Sequence, residues 1–66
     1  MHSGPVHLAA GRETPYSLAG ALGRPDLRDE IIQLNLGRFA PDGVEWQGGV
    51  FPAGMEVVLP QEHAVL

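Results

Sequence analysis

The sequence predicts a small α+β domain, with two short helices between two terminal strands, and three observations carry that prediction. Period-2 alternation of apolar residues occurs near both ends, over 6–10 and 55–59. Between them, helix-start chemistry followed by apolar residues four apart marks 14–22 and 27–35. Glycine and proline punctuate the junctions at Gly11, Gly23, Pro25, Gly37 and Pro60. Two terminal strands with a helical pair between them close most simply as an antiparallel ribbon covered on one face by the helices.

Each element follows from its residues. In 6–10, Val6, Leu8 and Ala10 alternate with His7 and Ala9, a short strand. Thr14 then opens a helix, because its hydroxyl can accept an orphan N–H and Pro15 at the first helical position has no N–H to leave unpaired. Leu18 and Leu22 share one face, and Gly23 supplies a left-handed cap before Pro25, which cannot continue the turn. Asp26 is expected to cap the second helix, with Asp29 in the place of a capping-box acid and Glu30 beside it at the positive end of the helix dipole. Leu27, Ile31 and Leu34 form its apolar stripe. Met55, Val57 and Leu59 alternate with Glu56 and Val58 to give the closing strand, ended by Pro60.

Composition bounds the function. A 66-residue chain is one domain that buries only about 60% of the surface its unfolded form exposes. Chains of this size usually need a disulfide, a metal or a partner, and there is no cysteine. Eight acidic residues against four arginines give a formal charge of −4, which opposes a phosphate backbone, so no nucleic-acid partner is expected. No segment approaches a membrane span and the first residues lack the pattern of a secretory signal, so no membrane partner is expected and synthesis is placed in the cytoplasm. A deep catalytic cleft does not fit so small a chain.

No enzyme or cofactor motif emerges. His2, His7 and His63 lack ligand spacing, and no metal site is expected. Asp26, Asp29 and Glu30 are explained as helix-start residues, Thr14 and Ser17 have no histidine at an interpretable spacing, and the glycines form neither dinucleotide nor phosphate loop. The expectation is a non-enzymatic protein without cofactor.

The stretch from 37 to 54 shows no periodicity, yet it holds Phe39, Val44, Trp46, Val50 and Phe51, including three of the chain's four aromatic residues. A long aromatic loop either folds back to finish the core or serves as an interface. Phe51 suits either role. Trp46, flanked by Glu45, Gln47 and two glycines, is expected as an exposed anchor. The apolar end, Val65 and Leu66, is expected to join the same interface.

The residues TPYSLA at 14–19, LRDEIIQLN at 27–35 and the proline-glycine strand ending in LP at 59–60 resemble a LysM-type domain over roughly 6–60, a βααβ fold. Within that superfamily the closing run PAGMEVVLP at 52–60 is more similar to the phage tail protein X family than to wall-binding modules. The resemblance implies a structural adaptor in the hub or baseplate of a contractile phage tail or related injection system. Its partners would be hub, spike, tube or wedge proteins, and it would be present in several copies in the virion tail. The alternative that the resemblance implies is a peptidoglycan or chitin binder. Gly11, Arg12, Glu13 and Thr14 on one side and Asn35 and Leu36 on the other would then line a shallow groove for N-acetyl sugars. A wall binder normally needs export and tandem modules for avidity, which favours the adaptor.

Overall fold

The computed structural model describes residues 6–60. Strand β1 (Val6–Leu8) is followed by helix α1 (Pro15–Ala21), a 3-10 turn (Pro25–Leu27), helix α2 (Arg28–Asn35) and strand β2 (Glu56–Val58). The strands pair antiparallel, with Val6 opposite Val58, His7 opposite Val57 and Leu8 opposite Glu56. This is an α+β architecture, two antiparallel strands and two short helices, with a Cα radius of gyration of 11.0 Å.

Local chemistry accounts for α1 at both ends. The Ser17 N–H donates to the Thr14 hydroxyl at 3.0 Å, and the Thr14 N–H donates to the Ser17 hydroxyl at 2.9 Å, a reciprocal capping box with Pro15 as the first helical residue. At the far end the Gly23 N–H donates to the Gly20 carbonyl and the Arg24 N–H to the Ala19 carbonyl, both at 3.0 Å. That is a Schellman closure, and Gly23 adopts the left-handed φ of 75° that it requires.

The second helix starts differently from the expectation. Asp26 does not cap it: the N-cap position is Leu27, which has helical backbone angles and no side-chain cap. The chain enters α2 through the 3-10 turn already helical, whereas a capping side chain works from an extended backbone. Asp26 instead accepts from Arg24 Nε at 3.0 Å and Nη2 at 2.9 Å, and this guanidinium holds its carboxyl below the usual range. Asp29 and Glu30 lie in the first turn as expected. The buried stripe is Leu27, Ile31 and Asn35, with Leu34 half-buried beside it.

The core gathers Ala9, Leu18, Ala19, Leu27, Ile31, Trp46, Phe51, Met55 and Val57, with Leu22, Ile32 and Leu59 packed against it. The face of β1 turned to this core is that of His7 and Ala9, so Val6 and Leu8 point outward. Register explains the choice: Val57, fully buried on β2, sits opposite His7, so the stronger alternation of β2 sets the inner face.

The stretch after α2 is not structureless. The Ala40 N–H donates to the Val44 carbonyl and the Gly43 N–H to the Ala40 carbonyl, both at 2.9 Å, with an isolated bridge between Phe39 and Glu45. Pro41, Asp42 and Gly43 form a three-residue hairpin loop in which Gly43 takes the left-handed position at φ 87°. The Val44 N–H donates to Asp42 Oδ1 at 3.0 Å and closes the turn.

Candidate interaction surface

The five loop residues expected at an interface separate into two groups. Phe39, Val44 and Val50 are exposed, Phe39 at 63%. Trp46 and Phe51 are not: Trp46 is 4% exposed and Phe51 fully buried, which corrects the expectation of an exposed tryptophan anchor. The reason is a tertiary contact. The two rings stack at a centroid distance of 4.6 Å and 20° between planes, and the indole N–H donates to the Gly49 carbonyl at 2.9 Å. The backbone fixes both ends of this segment, since the Trp46 N–H donates to the Arg38 carbonyl and the Phe51 N–H to the Glu13 carbonyl. Both aromatics therefore belong to the monomer core. Val65 and Leu66, like His2 and His63, lie outside the described residues.

The exposed apolar residues fall on two sides. On the outer face of the ribbon, Val6 and Leu8 stand in solvent at 51% and 64% exposure. Leu8 pairs with Glu56, which lines a shallow depression with Arg38, Phe39, Pro41 and Gly54. Leu8 and Glu56 thus share the outer face of the ribbon, and Glu56 borders the start of the 39–45 hairpin. On another side, an open apolar groove of about 280 Å³ is lined by Thr14, Pro15, Tyr16, Arg28, Ile32 and 48–50.

The six residues of the sugar-groove alternative are not brought together by this groove. Thr14 lines it, and neither Asn35 nor Leu36 does. Asn35 is a correction in its own right. It is 0% exposed, with Nδ2 donating to the Ile31 carbonyl at 2.8 Å and to the Val58 carbonyl at 2.9 Å, and Oδ1 accepting the Val58 N–H at 2.8 Å. Three of the amide's four hydrogen-bonding positions are committed to backbone and the residue is fully buried, which puts it out of reach of a sugar. Its role is to pin α2 to β2 by completing the hydrogen bonds that a third strand would otherwise make. At Gly11 a Cβ would come within 3.2 Å of the Ala53 Cβ, Arg12 and Leu36 are exposed, and Glu13 is bonded to His7 and Ala10.

Glu13 holds the other side of the ribbon. Its two oxygens lie 2.9 and 3.0 Å from His7 Nε2, and Oε1 also accepts the Ala10 N–H at 3.0 Å. The His7 hydrogen bond first and the Ala10 N–H second hold its carboxyl below the usual glutamate range. Among the described residues no three His, Cys, Asp or Glu side chains gather as a metal site, and no helix is long and apolar enough to cross a membrane.

Neither the scan of protein-family models nor the searches of curated proteins and of solved structures return a match to this chain.

Proposed function

We propose that this chain is a non-enzymatic LysM-like adaptor seated in the hub or baseplate of a contractile phage tail or a related injection system, held there by protein–protein contacts. The reading rests on the resemblance at 14–19, 27–35 and 52–60, joined to a βααβ order in this chain. The observation that carries it is the exposed apolar surface. A domain with so small a core leaves Val6, Leu8, Phe39, Val44 and Val50 in solvent, which is the pattern of a surface completed by neighbours. Its partners are the hub, spike, tube or wedge proteins, and several copies per particle fit that setting.

The test is incorporation. Particles assembled with a Phe39→Ser, Val44→Ser chain should contain markedly less of it by quantitative mass spectrometry, while the isolated variant keeps the circular dichroism of the parent. Normal incorporation of the doubly substituted chain, or its absence from wild-type particles, would overturn the reading.

One observation favours a second reading, a binder of N-acetyl sugars: the groove beside Tyr16, a residue that is 69% exposed. Titration with chito-oligosaccharides should leave the Thr14, Tyr16 and Val50 amide signals in place if the adaptor reading holds. Saturable shifts at those three amides would favour the sugar binder.

A further inference from the structure

The backbone groups of the ribbon's outer edges are unequally used. Because the Ala9 N–H donates to the Met55 carbonyl, ladder bonds fall at Ala9 and, two residues back, at His7. The N–H and C=O of Val6 and Leu8 therefore point away from β2, as does the N–H of Ala10. Ala10 is closed by the Glu13 carboxylate at 3.0 Å. Val6 and Leu8 have no hydrogen-bond partner among the described residues. On β2 the Val58 edge is closed by Asn35, which leaves Glu56 open among the described residues of that strand. The longer open run is on β1, and its side chains, Val6 and Leu8, are also the exposed apolar ones.

Charge names the kind of segment that fits this run. The Glu13 carboxylate, fixed by His7 Nε2 at 2.9 Å and the Ala10 N–H at 3.0 Å, sits at the end of the edge beyond Leu8, and Glu56 faces Leu8 across the ribbon. The chain as a whole carries −4, so a second copy would bring like charge to the same place. We propose that the β1 edge receives an extended segment of a basic partner, which pairs antiparallel with Val6 and Leu8 and sets a Lys or Arg opposite His7, within reach of Glu13. Apolar residues on either side of that base extend the outer face beside Val6 and Leu8. The added strand turns a two-stranded ribbon, marginal on its own, into a three-stranded sheet.

This inference rests on the adaptor reading for its biological setting, and its test does not depend on particles. A random peptide library is selected against the full chain, and the recovered peptides are titrated while backbone amides are followed by NMR. The expected peptides alternate β-branched residues with Lys or Arg and shift the Val6 and Leu8 amides. N-methylating their edge-facing amides should weaken binding roughly tenfold or more, the loss of two backbone hydrogen bonds. Leu8→Pro should bind the peptides at least as weakly. Proline is tolerated on an edge where the N–H faces solvent, so this variant removes a docking donor without touching the β1–β2 ladder.

If Leu8→Pro does not fold, the N-methylated peptides on the unsubstituted chain decide the matter. Recovery of no binder, equal binding by N-methylated peptides, or recovered peptides without basic residues would overturn the proposal. So would a chain that sediments as a dimer and becomes monomeric with Leu8→Pro, which would make the occupant a second copy. Each of these results leaves the incorporation test of the adaptor untouched.

Discussion

The two edges of the ribbon are built from similar three-residue strands and end up with different neighbours. Beside β2 lies the C-terminal turn of α2, and Asn35 reaches from it to both the N–H and the C=O of Val58. Beside β1, the Glu13 carboxylate from the loop before α1 closes Ala10, and among the described residues nothing closes Val6 and Leu8. An amide that both donates and accepts can replace a strand at one residue, while a carboxylate can only accept. The difference shows how a fold with two short strands covers one edge with a side chain and leaves more of the other uncovered among the described residues.

Both edges rest on the same floor, and removing it abolishes the contrast. Trp46→Ala should cost about 3–5 kcal/mol by the usual scale for core aromatics. A 66-residue domain has about 3–10 kcal/mol in total, so the isolated variant is expected to be largely unfolded by circular dichroism at 37 °C. A variant that keeps its helical signal and melting temperature would return Trp46 to the surface.

Next in size is the closed edge itself. Asn35→Ala leaves the Val58 N–H and C=O without their partners at a part-buried site, a loss of about 2–3 kcal/mol readable in urea unfolding. Asn35→Asp should be destabilised more at neutral pH than in acid. Burial disfavours the charged carboxylate, so the folded state of this variant binds its proton more tightly and regains stability as pH falls. A melting temperature of Asn35→Asp independent of pH would show that Asn35 is not buried as described.

The open edge gives a smaller effect of opposite pH sense. The folded value of Glu13 lies below its unfolded one, because the His7 and Ala10 hydrogen bonds favour the carboxylate. Its contribution is therefore complete above the unfolded value and is lost as pH falls through the folded one. Glu13→Gln should lower the melting temperature at pH 7 and match the parent in acid, with the two curves converging below the glutamate range. Curves that stay parallel would remove the His7–Glu13 contact from the stability of β1. Smallest of all, Asp26→Asn should leave the melting temperature unresolved from the parent, because the Arg24–Asp26 pair is exposed and caps nothing.

Much of the scaffold was legible in the sequence because it is locally encoded. Thr14 followed by Pro15 and Gly23 followed by Pro25 specify where α1 begins and ends, and the alternation at 55–59 marks β2 without help from the rest of the chain. What escaped was set by distant contacts. Glu45, Gln47 and two glycines made Trp46 look exposed, but its ring is buried by Phe51 and by a loop whose ends are tied to Arg38 and Glu13.

Two signals were available for part of what was missed. Asn35 continues the stripe of Leu27 and Ile31 at a spacing of four, and a polar side chain on a buried stripe has to find backbone partners. Pro41-Asp42-Gly43 is a hairpin turn by its chemistry alone. The faces of β1 were not readable, because Val6, Leu8 and Ala10 are no less apolar than Ala9 and only the register with β2 decides which side goes in.

Native-state amide hydrogen exchange on the isolated chain measures the two edges side by side. The Val58 amide, held by Asn35, is expected to be protected at close to the free energy of global unfolding, together with the ladder amide of Ala9. The Val6 and Leu8 amides are expected to exchange near the rate of an unfolded peptide. Protection of Leu8 equal to that of Val58 in the monomer, or a Val58 amide exchanging as fast as Leu8, would contradict the division into a closed edge and an open one.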